Sequence, residues 1–217
     1  MRELLYVADP MCSWCYGFAP TWREIRARLA PDVRLRLVLG GLAPDSDEPM
    51  PAELARYVQA AWHTVERRTG QPFDHAFWER NVPRRSTWIA CRACLAAEDL
   101  RESAAAAMFE AVQEAYYRRA RNPSDEAVLA DLAEELGLER ASFVERLRSA
   151  GLEERLQRDF ATRDAVGASG FPSLGLREGE RLELLQAGWA PPEATLALLS
   201  GRGLLASTGA EGRTSLF

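Results

Sequence analysis

Four cysteines fall into two Cys-x-x-Cys pairs in this 217-residue chain. The first, Cys12-Ser13-Trp14-Cys15, follows Asp9-Pro10-Met11 and joins an apolar run, Leu4 to Ala8, to a segment of helical periodicity. A cysteine at the opening of a helix meets unpaired backbone N–H groups and the positive end of the helix dipole, and both favour its thiolate. Such surroundings bring a cysteine pKa from about 8.5 into the range of roughly 3.5 to 7.5. The partner one turn along is near enough to close a disulfide or to resolve a mixed one. Redox chemistry is one reading of the pair; a zinc half-site and plain packing are the others.

Zinc would need two more ligands. Cys91 and Cys94 could supply them, yet the 75 residues between Cys15 and Cys91 far exceed the roughly 12–20 of common zinc modules. Thr87 to Leu95 reads as helix interior. Two cysteines three apart there share a face, gain no N-terminal dipole, and would distort the helix by bonding to each other. Packing as small apolar residues is the first reading of Cys91 and Cys94; an auxiliary redox pair exchanging with Cys12 is the second. No metal site is expected. His63 and His75 are the only histidines and read as polar residues of a helical block; their scarcity weighs against Cys–His hydrolase chemistry. All 27 basic residues are arginine, so no lysine is present for Schiff-base chemistry.

Hydrophobic residues make up 47% of the chain, enough for a sizeable core. The net charge of −5 is spread along the sequence, which argues against a nucleic-acid-binding protein. No apolar run approaches the ~20 residues that span a bilayer. The start lacks the h-region of a signal peptide. The expected location is the cytoplasm, where cysteine pairs are more often catalytic or metal-binding than structural staples.

The elements that must position Cys12 can be read in order. Residues 3–8 form a short buried strand stopped by Asp9-Pro10. Phe18, Trp22, Ile25 and Leu29 share one face of the following helix, which Pro20 should kink. Val33 to Leu39 is a second strand ending at Gly40-Gly41, and a strand–helix–strand unit of this size implies parallel pairing. From Pro51 to about Gly151 only helical segments follow. Ser86 and Ser124 are expected to cap two of them, and Ser142 with Glu145 fits a capping box for a third. After a helix carrying Leu152, Leu156 and Phe160 come Phe171-Pro172, two strands turning at Glu178-Gly179, and a helix opened by Pro191-Pro192. The segment from Arg202 to Phe217 is a Gly/Ser/Thr-rich tail, loosely ordered or an exchange arm.

In that order the chain resembles the thioredoxin-fold disulfide oxidoreductases of the DsbA family, in their cytosolic FrnE-like branch. The resemblance rests on Cys12-Ser13-Trp14-Cys15, the block from Gly41 to about Gly151, Pro20, and Val166 to Pro172. It covers roughly residues 3–200. It implies an α/β protein: a thioredoxin fold with a large all-helical insertion after the second strand. Residues 1–41 and 152–201 would form the thioredoxin-fold domain, 42–151 the insertion and 202–217 the tail. The resemblance also implies a protein disulfide oxidoreductase or isomerase with Cys12 as nucleophile and Cys15 as resolving thiol. Phe171-Pro172 would be a cis bond facing the cysteines, its preceding backbone pairing with substrate like an added strand. Ser13, Trp14, Phe171 and Pro172 would shape the substrate groove.

No cofactor beyond the cysteine pair is required, with glutathione as a co-substrate to test. Partners would be thiol- or disulfide-bearing proteins or glutathione, with no nucleic acid and no membrane; a homodimer stays open. Two departures stand out. Tyr6 occupies the place, six before the first cysteine, where many relatives carry a buried acid. Ser13-Trp14 lacks the histidine that stabilises the thiolate in strongly oxidising relatives, so a milder lowering of the Cys12 pKa is expected. The rival readings are a glutathione-dependent isomerase or transferase of the kappa or 2-hydroxychromene-2-carboxylate isomerase type, and a non-enzymatic, redox-regulated binding protein or chaperone.

Overall fold

A computed structural model of the chain describes residues 1–206. Strand β1 (Arg2–Ala8) leads into helix α1 (Ser13–Arg28), which returns to β2 (Val33–Leu39). Six helices follow before the chain rejoins the sheet: α2 (Ala52–Thr69), α3 (Phe77–Arg80), α4 (Trp88–Leu100), α5 (Ala104–Arg118), α6 (Glu126–Glu135) and α7 (Arg140–Leu147). Helix α8 (Ala150–Val166), strands β3 (Ser173–Glu178) and β4 (Arg181–Ala187), and helix α9 (Pro192–Gly201) complete the order. The architecture is a thioredoxin fold with an all-helical insertion after the second strand.

The sheet runs β2-β1-β3-β4. β1 pairs in parallel with β2 and antiparallel with β3, and β3 pairs antiparallel with β4. Central β1 is apolar and buried from Leu4 to Ala8 because both its faces are covered there. Leu4, Tyr6 and Ala8 point into the large core that holds Phe18, Trp22 and Ile25 of α1. Leu5 and Val7 point the other way, against Val38, Val166 and Ala168. The two-residue period of a strand thus separates α1 on one face from the end of α8 on the other.

The insertion shares the α1-side core. Trp62 of α2 is almost wholly buried among Phe73, Phe77, Tyr116 and Tyr117, with ring centroids 5.1–5.5 Å away. Helix α2 lies against α1 at Gly17, where a Cβ would come within 2.8 Å of Val65 Cγ1 and 2.9 Å of Thr69 Cγ2. A side chain at Gly17 would push the two helices apart.

The expected caps are corrected one by one. α4 takes Thr87 as N-cap, not Ser86, and the Thr87 hydroxyl makes no cap bond but donates to Asp9 Oδ2 at 2.7 Å. α6 begins after Asp125 rather than Ser124, whose hydroxyl instead donates to the Ser86 carbonyl at 2.7 Å. α7 has no Ser142–Glu145 box: Glu139 is the N-cap, and its carboxylate accepts from the Ala141 and Ser142 N–H groups. An acid on orphan N–H groups also suits the positive helix end. The tail begins docked, with Leu204 and Leu205 buried and Leu205 bridging to Leu29; the rest of it, 207–217, lies outside the described residues.

Candidate active site

Cys12 stands at the N-cap of α1. Its backbone is extended, its N–H donates to the Asp9 carbonyl at 3.1 Å, and its own carbonyl accepts the first helical bond, from Tyr16 N–H at 3.0 Å. Met11 and Pro10 thus make the turn that converts strand to helix, and the Cys12 sulfur is left beside the unpaired amides of the first turn. All four cysteines are free thiols. Cys12 is 7% exposed and Cys15 is fully buried.

The two thiols are driven apart in acidity. The Cys12 pKa is lowered, chiefly because the Cys15 thiol donates to its sulfur. The Cys15 and Trp14 backbone amides help, while burial and the charge of Asp9 oppose. The Cys15 pKa is raised well above its ordinary value, first by burial and then by its bond and proximity to Cys12. One sulfur is set up as the thiolate and the other as its proton-bearing partner.

Across from Cys12 lies the loop before β3. The Phe171–Pro172 bond is cis, and the Phe171 carbonyl accepts from the Cys12 thiol at 3.7 Å. The Phe171 ring turns away and sits on Gly40, where a Cβ would be only 2.2 Å from it. What Phe171 offers the cysteines is its backbone. Trp14 is half-buried, its ring 5.6 Å from that of Trp189. The exposed Arg68 of α2 reaches over both, its guanidinium carbon 5.8 Å from the Trp14 ring centre and 5.2 Å from that of Trp189. Tyr16 and Phe18 are core residues; Tyr16 stacks on Tyr117 at 4.6 Å.

A family model for the DSBA-like thioredoxin domain matches residues 3–193. The chain belongs to that family. A candidate protein disulfide isomerase from Nitrosomonas europaea superposes with a TM-score of 0.83 at 31% identity, over 92% of this chain and 96% of that one. The cytosolic disulfide reductase DsbM from Pseudomonas aeruginosa, in its structure with glutathione, gives a TM-score of 0.74 at 30% identity over 94% of this chain and all of the other. Among curated proteins, the ClpXP adapter protein SpxH of Bacillus subtilis is 25% identical over 79% of this chain, which spans only 57% of that protein's length. Membership of the DSBA-like family places Cys12 and Cys15 in the thioredoxin-type domain that this family shares.

Three features of this DSBA-like site were not drawn from the sequence. Asp9 read only as a strand stop, yet it is fully buried. Its Oδ1 accepts from Met11 N–H at 2.8 Å; its Oδ2 accepts from Leu42 N–H at 2.6 Å, the Thr87 hydroxyl at 2.7 Å and the Cys91 thiol at 3.6 Å. Burial raises its pKa, and those hydrogen bonds hold the rise in check. A carboxylate three residues before a Cys-x-x-Cys was the available signal. Arg68 and Trp189, by contrast, carry no motif and meet Trp14 only through the fold. The third feature is the hydrogen bond from Cys91 to Asp9. Cys91 and Cys94 lie inside α4, fully buried, with both thiol pKa values raised chiefly by burial. Cys91 reaches the corner only as a donor to Asp9.

Tyr6, in the position of the missing acid, is buried and stacks on Trp22 at 4.0 Å. Among the described residues its hydroxyl has no hydrogen-bond partner. Burial, with the neighbouring Cys15 and Cys12, holds it protonated with a pKa well above ordinary tyrosine.

Proposed function

We propose that this chain is a thiol–disulfide oxidoreductase working by mixed-disulfide exchange, with Cys12 as nucleophile and Cys15 as resolving thiol. The observation that carries this is the placement of Cys12 at the N-cap of α1, its sulfur facing the Phe171 carbonyl at 3.7 Å and Cys15 buried one turn along; the opposed acidity of the two sulfurs accords with it. The Cys12 thiolate attacks a substrate disulfide, forming a Cys12–substrate bond and expelling one substrate thiolate. The Cys12 charge and its hydrogen bond to Cys15 vanish in that intermediate, so two of the causes that raise the Cys15 pKa are relieved when its thiolate is needed. Cys15 loses its proton to solvent, attacks the Cys12 sulfur and releases the second substrate thiolate. Two glutathione molecules then restore the dithiol, leaving as glutathione disulfide. No further cofactor enters.

Substrate backbone would lie along the Phe171 segment, beside Pro172. Ser13 and Trp14 would form the rim. Glutathione as the reducing partner is supported by DsbM, a disulfide reductase whose structure was determined with it. It is supported also by Arg68, whose exposed guanidinium is engaged over two rings and has no carboxylate partner among the described residues. A cytoplasmic location suits a glutathione-reduced enzyme; among the described residues no helix is long and apolar enough to cross a membrane.

The test is insulin-disulfide reduction with glutathione. Cys12→Ser should abolish it and Cys15→Ser should accumulate mixed disulfides; full activity of Cys12→Ser would overturn the mechanism. Glutathione-dependent isomerase or transferase activity that survives Cys15→Ala would instead favour that rival chemistry. The similarity to an adapter protein favours a second reading, docking of a protein partner in the same groove. That reading requires binding that is insensitive to alkylation of Cys12.

A further inference from the structure

The chain has two histidines, and both converge on one carboxylate. His63 and Glu66 lie three apart on α2 and therefore share a face; His75 comes from the segment between α2 and α3. The imidazoles of His63 and His75 stack with centroids 4.2 Å apart. His75 Nε2 is 3.2 Å and His63 Nδ1 4.0 Å from the same oxygen, Glu66 Oε2. The three donor atoms all lie within 4.8 Å of one another. The other oxygen, Oε1, accepts from the Phe73 N–H at 3.2 Å. The carboxylate is thus held by the backbone with its free oxygen turned to the imidazoles, as carboxylate ligands are commonly held from behind. Trp62 and Phe73 back His75, with centroids 6.1 and 6.2 Å from its ring.

We propose that His63, Glu66 and His75 bind a divalent zinc ion. Two imidazoles and one carboxylate are a recurrent zinc donor set, with water completing a tetrahedron. Bonds of about 2.0–2.1 Å place tetrahedral ligand atoms roughly 3.3 Å apart. The His75–Glu66 distance already matches that spacing; His63 has to close by less than about an ångström and a half and turn its ring out of the stack, because imidazole nitrogen binds a metal in the plane of its ring. Its side chain is 55% exposed and free to do so. The exposed side of the cluster leaves room for the fourth ligand. Two stacked imidazoles at this distance repel each other when both are protonated, whereas a metal uses their neutral forms.

The ion would clip α2 to the segment that follows it. That segment contains Pro72, whose carbonyl accepts from the Tyr16 hydroxyl at 2.9 Å, and Tyr16 follows Cys15 directly. The clip would therefore brace the first turns of α1 from the insertion side. This proposal stands whether or not the redox mechanism does.

The probe is zinc, titrated calorimetrically into the full chain after oxidation of Cys12–Cys15, which removes the competing thiolates. One equivalent should bind, and His63→Ala, His75→Ala and Glu66→Gln should each weaken binding by about tenfold or more. Zinc should raise the thermal midpoint of the native chain by more than that of His63→Ala at every concentration. Because His63 is exposed, that variant should match the native chain in its metal-free midpoint. Cobalt in place of zinc should show ligand-field bands without thiolate charge transfer. Absence of binding, unchanged affinity in the His63→Ala/His75→Ala double variant, or a thiolate charge-transfer band would each overturn the proposal.

Discussion

Replacing Asp9 by Asn should lower the pKa of Cys12. The Asp9 charge works against the Cys12 thiolate, and the two residues are joined by the Cys12 N–H bond to the Asp9 carbonyl. At an effective dielectric of about 20, a like unit charge several ångströms from a thiolate costs on the order of 2 kcal/mol, about one to two pKa units. Burial raises the Asp9 pKa, so its charge is carried only in part as pH falls, and a drop of about one unit is the lower expectation. Asn cannot serve all four donors that Asp9 accepts. With its oxygen kept on Leu42 and Thr87, its amide faces the Met11 N–H. One buried donor left unmade costs about 1–3 kcal/mol, offset in part by removing a buried charge. The variant should therefore fold with modest loss of stability. Thiolate absorbance followed against pH, checked by the rate of Cys12 alkylation, measures the shift. A more stable thiolate also favours the reduced state, moving the Cys12–Cys15 potential upward by a few tens of millivolts, at about 30 mV per 1.4 kcal/mol. A Cys12 pKa that stays or rises in Asp9→Asn would refute the assignment of Asp9 as the opposing charge.

Two further expectations use other parts of the site. Arg68→Ala should raise the KM for glutathione roughly tenfold, the worth of about 1.4 kcal/mol from a charge-assisted contact, and should leave reduction by dithiothreitol, which carries no carboxylate, within about twofold. Equal losses with both reductants would show that Arg68 supports Trp14 rather than an anion. The reduced protein should also gain stability, relative to Cys12→Ser, as pH rises. Between the lowered Cys12 pKa and cysteine's ordinary value of about 8.5, the unfolded chain keeps a proton that the native chain has lost, so the slope is positive there. Above about 8.5 Cys15, raised in the fold, reverses the slope. Chemical denaturation at stepped pH measures both limbs, and a flat difference on the lower one would contradict the lowered Cys12 pKa.

The parts of this fold that could be read from the sequence are those written in short-range order. β1 was legible because burial on both faces makes Leu4 to Ala8 uniformly apolar, and α1 because Phe18, Trp22 and Ile25 recur at helical spacing. Cys12 at the N-cap needed only the strand stop and the start of that period. The caps of α4, α6 and α7 were misplaced because Ser, Thr, Asp and Glu compete for the same few positions. Tertiary partners settle the choice, as when Asp9 draws the Thr87 hydroxyl. Arg68 over Trp14, and His75 on Glu66, join segments whose approach depends on how α2 lies on α1 at Gly17. No local pattern encodes that approach.

Asp9 shows why the insertion bears on the redox corner rather than merely standing beside it. The residue leaves the central strand three positions before Cys12, yet three of its four donors come from beyond β2: Leu42, and Thr87 and Cys91 at the start of α4. A buried carboxylate is tolerated only where such donors are fixed, so the geometry of α4 sets how much negative charge sits next to Cys12. A shift of α4 that withdrew the Thr87 hydroxyl would raise the Asp9 pKa further and favour its neutral form. The loss of that charge would in turn ease the Cys12 thiolate. The insertion therefore has an electrostatic route to Cys12 acidity that requires no contact with the sulfur itself.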